Sequence, residues 1–275
     1  MHNENTTLMK QKIFLFPTTI AGDFSQEELS EDMEGLYVNF PRVKIPSGGT
    51  IQFEVPSDDP ENPDYFKTLE GVILYHHSSN AYWPEGSEYD DDATPLCSSL
   101  DGKIGIGDPG LYCATCPKNK YGTTKEGRGK ACKNMHQLYL LRSGEYMPLQ
   151  LSLPPTSISP FREFMNQAFV LRRRTSYGSV VQIGLKKANN GTNDYSVATF
   201  KRLSDFEGED LAQIRSYSNS FKEQIKAMLL QRANVQEEQK DTSCDYEGPV
   251  LPTSDKGEHF CISSEIDGEH EALPA

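Results

Sequence analysis

The sequence of 275 residues predicts a mainly β fold of the α+β class, and three observations lead to it. Several short stretches alternate apolar and polar residues, as half-buried strands do. Two longer stretches carry the spacing of amphipathic helices instead. Finally, only 36% of the residues are hydrophobic, so a compact core is affordable only if part of the chain stays outside it.

The predicted elements follow the order strand, strand, long insertion, strand, strand, helix, strand, strand, helix. The strands are predicted over residues 50–55, 69–76, 137–142, 146–153, 177–187 and 195–203. The first helix is predicted from residue 159, with Pro160 in its first turn, to about residue 173, and the second over residues 207–232. Antiparallel strands with one interposed helix are typical of a small OB-like antiparallel barrel, although a plain α+β sheet would give a similar pattern.

Residues 78–136 show no sustained period and are rich in Gly, Asp, Lys and Cys. A loop of this length is uncommon in a compact domain unless something other than apolar packing orders it. Four cysteines lie inside it with the spacing C-x15-C-x2-C-x15-C: Cys97, Cys113, Cys116 and Cys132. The close pair can present two thiolates to one tetrahedral ion and the outer two can complete the set, which predicts a structural zinc site.

Three alternatives to this zinc site remain open. The cysteines could be ordinary buried thiols, or the C-x2-C pair could be a redox pair, although no βαβ unit surrounds it. One of His76, His77 and His136 could also replace a cysteine as a ligand. Four protein ligands would leave no open position for water, so the metal is not expected to be catalytic.

Charge is distributed unevenly along the chain, whose net charge is -13. Residues 1–116 carry 6 basic and 20 acidic side chains, residues 117–202 carry 15 and 4, and residues 203–275 carry 6 and 16. A basic block therefore lies between two acidic arms, and phosphates respond to this local field. Tyrosines are interleaved with the cations, and aromatic faces stack on unpaired bases.

These features predict a surface for single-stranded nucleic acid, with cations along the phosphates and tyrosines against the bases. On a strand, an aromatic residue is more often part of the core, and a lysine run is often only a solvated face. The predicted contact residues, with Tyr112 as a further stacking candidate, are Lys118, Lys120, Tyr121, Lys125, Arg128, Lys130, Lys133, Tyr139, Arg142, Tyr146, Arg172, Arg173, Arg174 and Tyr177.

Enzymatic patterns are not expected. Residues 122–131 superficially suggest a phosphate-binding loop, but the G-x4-G-K-[ST] spacing fails. The acidic run Asp90–Asp92 could hold magnesium, yet such a run is more often simply solvated. We expect no small-molecule substrate, no membrane span and no secretory signal, and hence a cytoplasmic protein with reduced thiols.

The predicted organisation is an acidic arm over residues 1–48, an OB-like nucleic-acid-binding domain over 49–232 containing the zinc loop 78–136, and a disordered acidic tail over 233–275. This layout resembles phage-type zinc-containing single-stranded DNA-binding proteins in its C-x2-C pair, the Lys/Tyr/Arg-rich block after it and its tail. That family's ligand set includes a histidine, whereas four cysteines suffice here. The stretch CPKNKYG…GRGKACKN is also similar to one in uncharacterised proteins of phages and mobile elements.

The resemblance implies a non-enzymatic protein that coats single-stranded DNA without sequence preference during phage or mobile-element replication or recombination in a bacterial host cell. The acidic tail would contact replication or recombination proteins. The first alternative function is that of a zinc-ribbon interaction factor, which would bind a replication, transcription or host complex. The second is that of a metal-dependent nuclease, which would require magnesium-dependent cleavage of the same strand.

Overall fold

The computed structural model of the chain describes residues 14–16, 40–83, 95–125, 127 and 129–241. In this part the strands are β1 (Arg42–Lys44), β2 (Phe53–Val55), β3 (Asp64–Phe66), β4 (Thr68–Tyr82), β5 (Cys97–Ser99), β6 (Ile106–Gly107), β7 (Lys133–Leu141), β8 (Leu149–Leu153), β9 (Ser179–Asn189) and β10 (Asp194–Asp205). The two α-helices are α1 (Pro155–Ala168) and α2 (Gly208–Asp241). Short 3₁₀ turns cover Pro117–Asn119, Val170–Arg172 and Ser176–Gly178.

The main sheet is mixed and curled into a half-barrel. Its strands run in the order β1-β8-β7-β4-β5-β6, while β9 pairs with the start of β4 and with β10. An isolated antiparallel bridge joins Ser47, just past β1, to Tyr195 in β10. The Ser196 hydroxyl donates a hydrogen bond of 2.6 Å to the Thr50 carbonyl beside it. These two links bring the first and last strands of the curled sheet together.

The long strand β4 is the axis of this arrangement. It pairs with β9 at its beginning, with β7 along most of its length and with β5 at its end. A bulge between Ile73 and Tyr75 interrupts the ladder to β7. The carbonyls of Ile73 and Leu74 there accept hydrogen bonds from Ser176 and Ser218, at 3.1 and 2.8 Å. The bulge therefore ties the segment before β9, and helix α2, to the sheet.

Both faces of the sheet are buried, as strand β7 illustrates. Leu138 and Leu140 point into the core inside the half-barrel, which is covered by Phe161 of α1 and by Phe169 just past the end of that helix. Their neighbours Tyr139 and Leu141 point to the opposite face, where helix α2 adds Ile214, Phe221 and Ile225. Because successive strand residues face opposite sides, the continuous apolar run of β7 is explained by packing on both faces.

The structure confirms the coarse prediction of a mainly β fold with two helices, and it corrects several details. The sheet is mixed rather than antiparallel, because β1 pairs with β8 in parallel. This strand lies within residues 1–48, so that part of the predicted arm belongs to the sheet. Helix α1 begins at Pro155 and contains Pro160 in its interior, because Pro155 occupies the first turn that was assigned to Pro160.

The predicted loop 78–136 contains regular structure. Strand β4 extends to Tyr82, β7 starts at Lys133, and β5 and β6 form between them. Helix α2 continues to Asp241, past the predicted start of the tail at residue 233. The rest of the predicted tail and most of the predicted acidic arm lie outside the described residues, as does the acidic run at Asp90–Asp92. No helix in the described ranges is both long and apolar enough to cross a bilayer.

Candidate metal centre and nucleic-acid interface

The four predicted ligands surround one small cavity of about 10 Å³ at the end of β4. Cys97 pairs with Tyr82 across the β4–β5 ladder. Cys132 precedes Lys133, which pairs with Ala81 across the β4–β7 ladder. The sheet therefore positions Cys97 and Cys132 on opposite sides of the same end of β4. Cys113 and Cys116 complete the lining of the cavity.

Backbone hydrogen bonds hold the Cys113–Cys116 turn in this position. The Cys113 N–H donates to the Lys103 carbonyl at 2.7 Å, and the Cys132 N–H donates to the Lys118 carbonyl at 2.9 Å. Gly105 lies directly against the remaining thiol, since a Cβ atom there would be 2.8 Å from Cys97 Sγ. A side chain at residue 105 would therefore press on the cavity.

The cavity favours thiols over thiolates unless a cation balances the charge. Burial, together with the neighbouring Cys113, Cys116 and Cys97 and against the opposing charge of Lys130, raises the pKa of Cys132 to about 11. Burial also raises the pKa of Cys97; a backbone N–H of Gly110 opposes this, and Cys113 and Cys116 add to it. A divalent cation would reverse these shifts, because a coordinated thiol is deprotonated.

The donor set fits zinc in composition, although not yet in geometry. All four cysteines are free thiols, and three of them are buried. Four cysteines are a common ligand set for structural zinc. Across the described ranges, however, no group of three or more His, Cys, Asp or Glu side chains stands in an arrangement that could hold a metal ion. The cysteines thus share a cavity without forming a coordination shell.

The three histidines considered as substitute ligands are not among the residues that line this cavity. His76 Nδ1 and His136 Nε2 lie 2.9 Å apart, and both rings pack against Phe161. His77 is on the opposite face, with Nε2 at 3.2 Å from the Tyr139 hydroxyl. Burial lowers the pKa of all three, that of His136 to about 4 with the charges of His76 and His77 contributing. The structure therefore gives no support to mixed ligation through these histidines.

The loop that leaves the cavity carries exposed tyrosines among cations. Residues 103–133 contain seven Lys and Arg residues and two acidic residues. Tyr112 is 66% exposed and Tyr121 is 77% exposed, so both rings are accessible. Lys103 and Lys120 are also exposed, and neither has a carboxylate partner among the described residues. Lys103 was not predicted as a contact residue. It lies beside the cavity because its carbonyl accepts a hydrogen bond from the Cys113 N–H, a contact that sequence spacing could not reveal.

Other predicted contact residues on this loop take part in internal interactions. The Lys118 ammonium lies 5.0 Å from the centroid of the Tyr82 ring. The Lys130 ammonium donates hydrogen bonds to Asn119 Oδ1 at 3.2 Å and to Asn134 Oδ1 at 2.9 Å. Lys125 is exposed and Lys133 is half-buried. Arg128 lies outside the described residues.

The remaining predicted contact residues lie away from the loop. Tyr139 is only 2% exposed and packs against Phe40 and Phe221, which corrects its prediction as a base-stacking residue. The mistake arose because an apolar strand with two buried faces carries core aromatics on both of them. Tyr177 is half-buried and packs against the core beneath α2, whereas Tyr146 is exposed.

Two of the predicted arginines are paired with carboxylates. Arg142 forms an ion pair with Glu145, and its guanidinium lies 5.2 Å from the centroid of the Phe66 ring. Arg174 forms an ion pair of 3.1 Å with Asp205. Arg172 and Arg173 are exposed and have no carboxylate partner in the described part of the chain. The predicted cations therefore separate into a loop group, a paired group, and Arg172 and Arg173 without a carboxylate partner among the described residues.

No family model, curated protein or solved structure matches this chain. Any functional assignment accordingly depends on the chemistry of the residues described above. The resemblance to phage-type zinc-containing single-stranded DNA-binding proteins stays a prediction.

Proposed function

We propose that this protein binds single-stranded DNA without sequence preference through the loop that surrounds the cysteine cavity. One observation carries the proposal: Tyr112 and Tyr121 expose their rings within a segment in which cations greatly outnumber acids. Every base has a π face, so stacking on tyrosine tolerates any sequence, while lysines neutralise the phosphates. The exposed lysines of this group are Lys103, Lys118, Lys120, Lys125 and Lys130.

A zinc ion held by Cys97, Cys113, Cys116 and Cys132 would order this surface. The ion would supply binding free energy that becomes folding free energy of the loop, and it would not take part in a reaction. This part of the proposal is supported by the four cysteines, which are free thiols and line the same cavity. Coordination would require these side chains to rearrange, because within the described ranges they do not form a group that could hold a metal ion.

The finer features of the prediction belong to the same proposal. The curled sheet would be an OB-like barrel, and the chain would act in phage or mobile-element replication or recombination in the bacterial cytoplasm. Its acidic C-terminal residues would contact replication or recombination proteins. The protein would be an accessory without enzymatic activity or a small-molecule substrate.

A second function, that of a zinc-ribbon interaction factor, is favoured by two apolar side chains at the cavity. Leu96 and Leu111 are both exposed, and Leu111 lines the cavity. Exposed apolar groups beside an ordered loop can contact a protein partner. This function predicts weak DNA binding together with a stable complex with a replication, transcription or host protein.

A titration of labelled oligo-dT and of a duplex of equal length separates these functions. We expect preference for the single strand, affinity that falls steeply between about 50 and 200 mM salt, and no cleavage when magnesium is present. Zinc content is measured on the same sample, with one ion per chain expected. Failure to bind oligo-dT at the lower salt concentration would refute the proposal, and cleavage would indicate a nuclease.

The variant Tyr121→Ala tests the stacking surface. Loss of one stacked base should weaken oligo-dT binding by about 1–3 kcal/mol. Tyr65→Ala is the matched control, because Tyr65 is 61% exposed but lies on β3, far along the sequence from the loop. Equal losses in the two variants would show that Tyr121 has no special role.

A further inference from the structure

The segment Phe169–Arg174, here called the arginine turn, exposes apolar side chains next to cations. Leu171 is 78% exposed and Val170 is 61% exposed. Arg172 and Arg173 follow them directly and, within the described residues, have no carboxylate partner, whereas Arg142, Arg174 and Arg202 each have one. The arginine turn and the cysteine loop therefore share one feature: each exposes a large side chain, Leu171 and Tyr121 respectively, close to cations.

The arginine turn is held firmly in this conformation. Phe169 is buried and packs edge-on against Phe164. The Phe169 carbonyl accepts hydrogen bonds from the N–H groups of Arg172 at 3.0 Å and Arg174 at 2.9 Å. Arg173 has φ of 52°, the left-handed conformation that helix ends usually assign to glycine or asparagine. Residues other than glycine in such sparsely populated backbone conformations are found more often at functional sites.

The arginine turn is anchored near the bulge of β4, whereas the cysteine cavity lies at the C-terminal end of that strand. Ser176, just after the turn, donates a hydrogen bond to the Ile73 carbonyl, whereas the cavity is beside Tyr82. At about 3.3 Å per residue, the strand between Ile73 and Tyr82 spans roughly 30 Å. A single ligand that contacts both surfaces must therefore span a distance of this order, as an extended nucleic-acid strand can.

We infer that the arginine turn is a second contact site for the same single strand, with Arg172 and Arg173 on phosphates and Val170 and Leu171 against bases. This inference rests on the proposed function and adds a site that is independent of the zinc loop. Arg172 Nε donates a hydrogen bond of 3.3 Å to the Gln167 carbonyl, but neither Arg172 nor Arg173 has a carboxylate partner among the described residues, so both can bind phosphates. The adjacent aliphatic groups suit the flat faces of unpaired bases. A strand of about 5 nucleotides would reach only one site, whereas one of about 20 would reach both.

The test compares full-length wild-type protein with Arg172→Gln/Arg173→Gln on oligo-dT of about 5 and about 20 nucleotides. We expect the longer oligonucleotide to bind about tenfold more weakly, with the slope of log K against log salt reduced by about 1.4. The shorter one should change less than twofold. Leu171→Ser should weaken only the longer one and leave its slope unchanged, because it removes no charge.

The control Arg215→Gln/Lys226→Gln removes the same charge from exposed positions on α2. Equal weakening by this control, equal weakening on both lengths, or no weakening on either would overturn the second site while leaving the proposed function intact. Failure of wild-type protein to bind either oligonucleotide would overturn both. Circular dichroism of each variant confirms that the fold is unchanged.

Discussion

The sheet and the cysteine loop of this molecule are stabilised by different interactions. Strand β7 buries apolar side chains on both of its faces. In the described part of residues 103–132, the buried apolar side chains are the three cysteines Cys113, Cys116 and Cys132. Hydrophobic burial therefore accounts for the sheet but not for the loop, which depends on backbone hydrogen bonds, the Lys130 contacts and its thiols.

The largest effect should follow from removal of one thiol with Cys132→Ser. Structural zinc contributes about 10–16 kcal/mol to the folding of zinc-finger peptides, so loss of the ion should open the loop. We expect loss of bound zinc, protease cleavage within residues 103–131 and at least tenfold weaker oligo-dT binding, with the circular dichroism of the sheet retained. Cys244→Ser is the matched control. Unchanged zinc content and loop protection in Cys132→Ser would contradict this view of the loop.

The next largest effect concerns the sheet and should spare the loop. Leu151 is fully buried in the half-barrel core, so Leu151→Ala should lower the free energy of unfolding by about 2–5 kcal/mol. The control Leu171→Ala removes an exposed leucine and should change stability by less than about 0.5 kcal/mol. Urea denaturation measures both. Zinc content under native conditions should match that of the wild type, and its loss in Leu151→Ala would show that the two regions are coupled.

This difference also explains what the sequence could predict. Strands β8, β9 and β10 and the start of helix α2 were predicted close to their observed positions, because their apolar periodicity reports the packing that stabilises them. Strands β5 and β6 were missed, since they are very short and lie in a segment without a period. Strand β1 was also missed, because Val43 is its one buried side chain and its partner β8 is far along the chain.

The clustering of the four cysteines was predictable from the sequence, but the accessibility of the cations was not. The spacing of Cys97, Cys113, Cys116 and Cys132 was enough to predict that they share one cavity. Composition could not show that Arg142 and Arg174 are paired with Glu145 and Asp205, because those contacts depend on tertiary structure. Nor could it show that Tyr139 is buried. Lysine and tyrosine counts thus predicted the charged region without identifying its accessible residues.

A smaller effect on the sheet is expected from pH. The pKa of His136 falls from 6.5 to about 4 on folding, through burial and then the charges of His76 and His77. The unfolded chain therefore binds more protons between these values, and stability should fall as the pH decreases from about 6.5 towards 4. With allowance for partial solvent exposure of His136, the free energy of unfolding should fall by on the order of 1–2 kcal/mol over this range.

The variant His136→Gln isolates this contribution, because its side chain cannot be protonated. Carboxylates also titrate at the lower end of the range, so the measured quantity is the difference between wild type and variant at each pH. We expect urea denaturation to show a flatter pH dependence for the variant. Parallel curves for the two proteins would mean that His136 is protonated equally easily in both states.

The smallest effect should come from the Lys130 contacts within the loop. Lys130 connects Asn119, whose side chain donates to the Cys113 carbonyl at 2.7 Å, with Asn134 on β7. Asn134 in turn donates to Asn80 Oδ1 on β4 at 2.6 Å. Lys130→Met should therefore lower the free energy of local opening by about 1 kcal/mol. Hydrogen exchange at the Cys113 and Cys132 amides measures this, because both amides donate to loop carbonyls.

Lys120→Met is the matched control, since Lys120 is an exposed lysine of the same loop that is not part of this network. It removes the same charge, so a purely electrostatic role for Lys130 would give equal exchange rates in the two variants. Faster exchange in Lys130→Met alone would mean that polar contacts to the sheet order the loop even with zinc present. The loop would then depend on the sheet for its position.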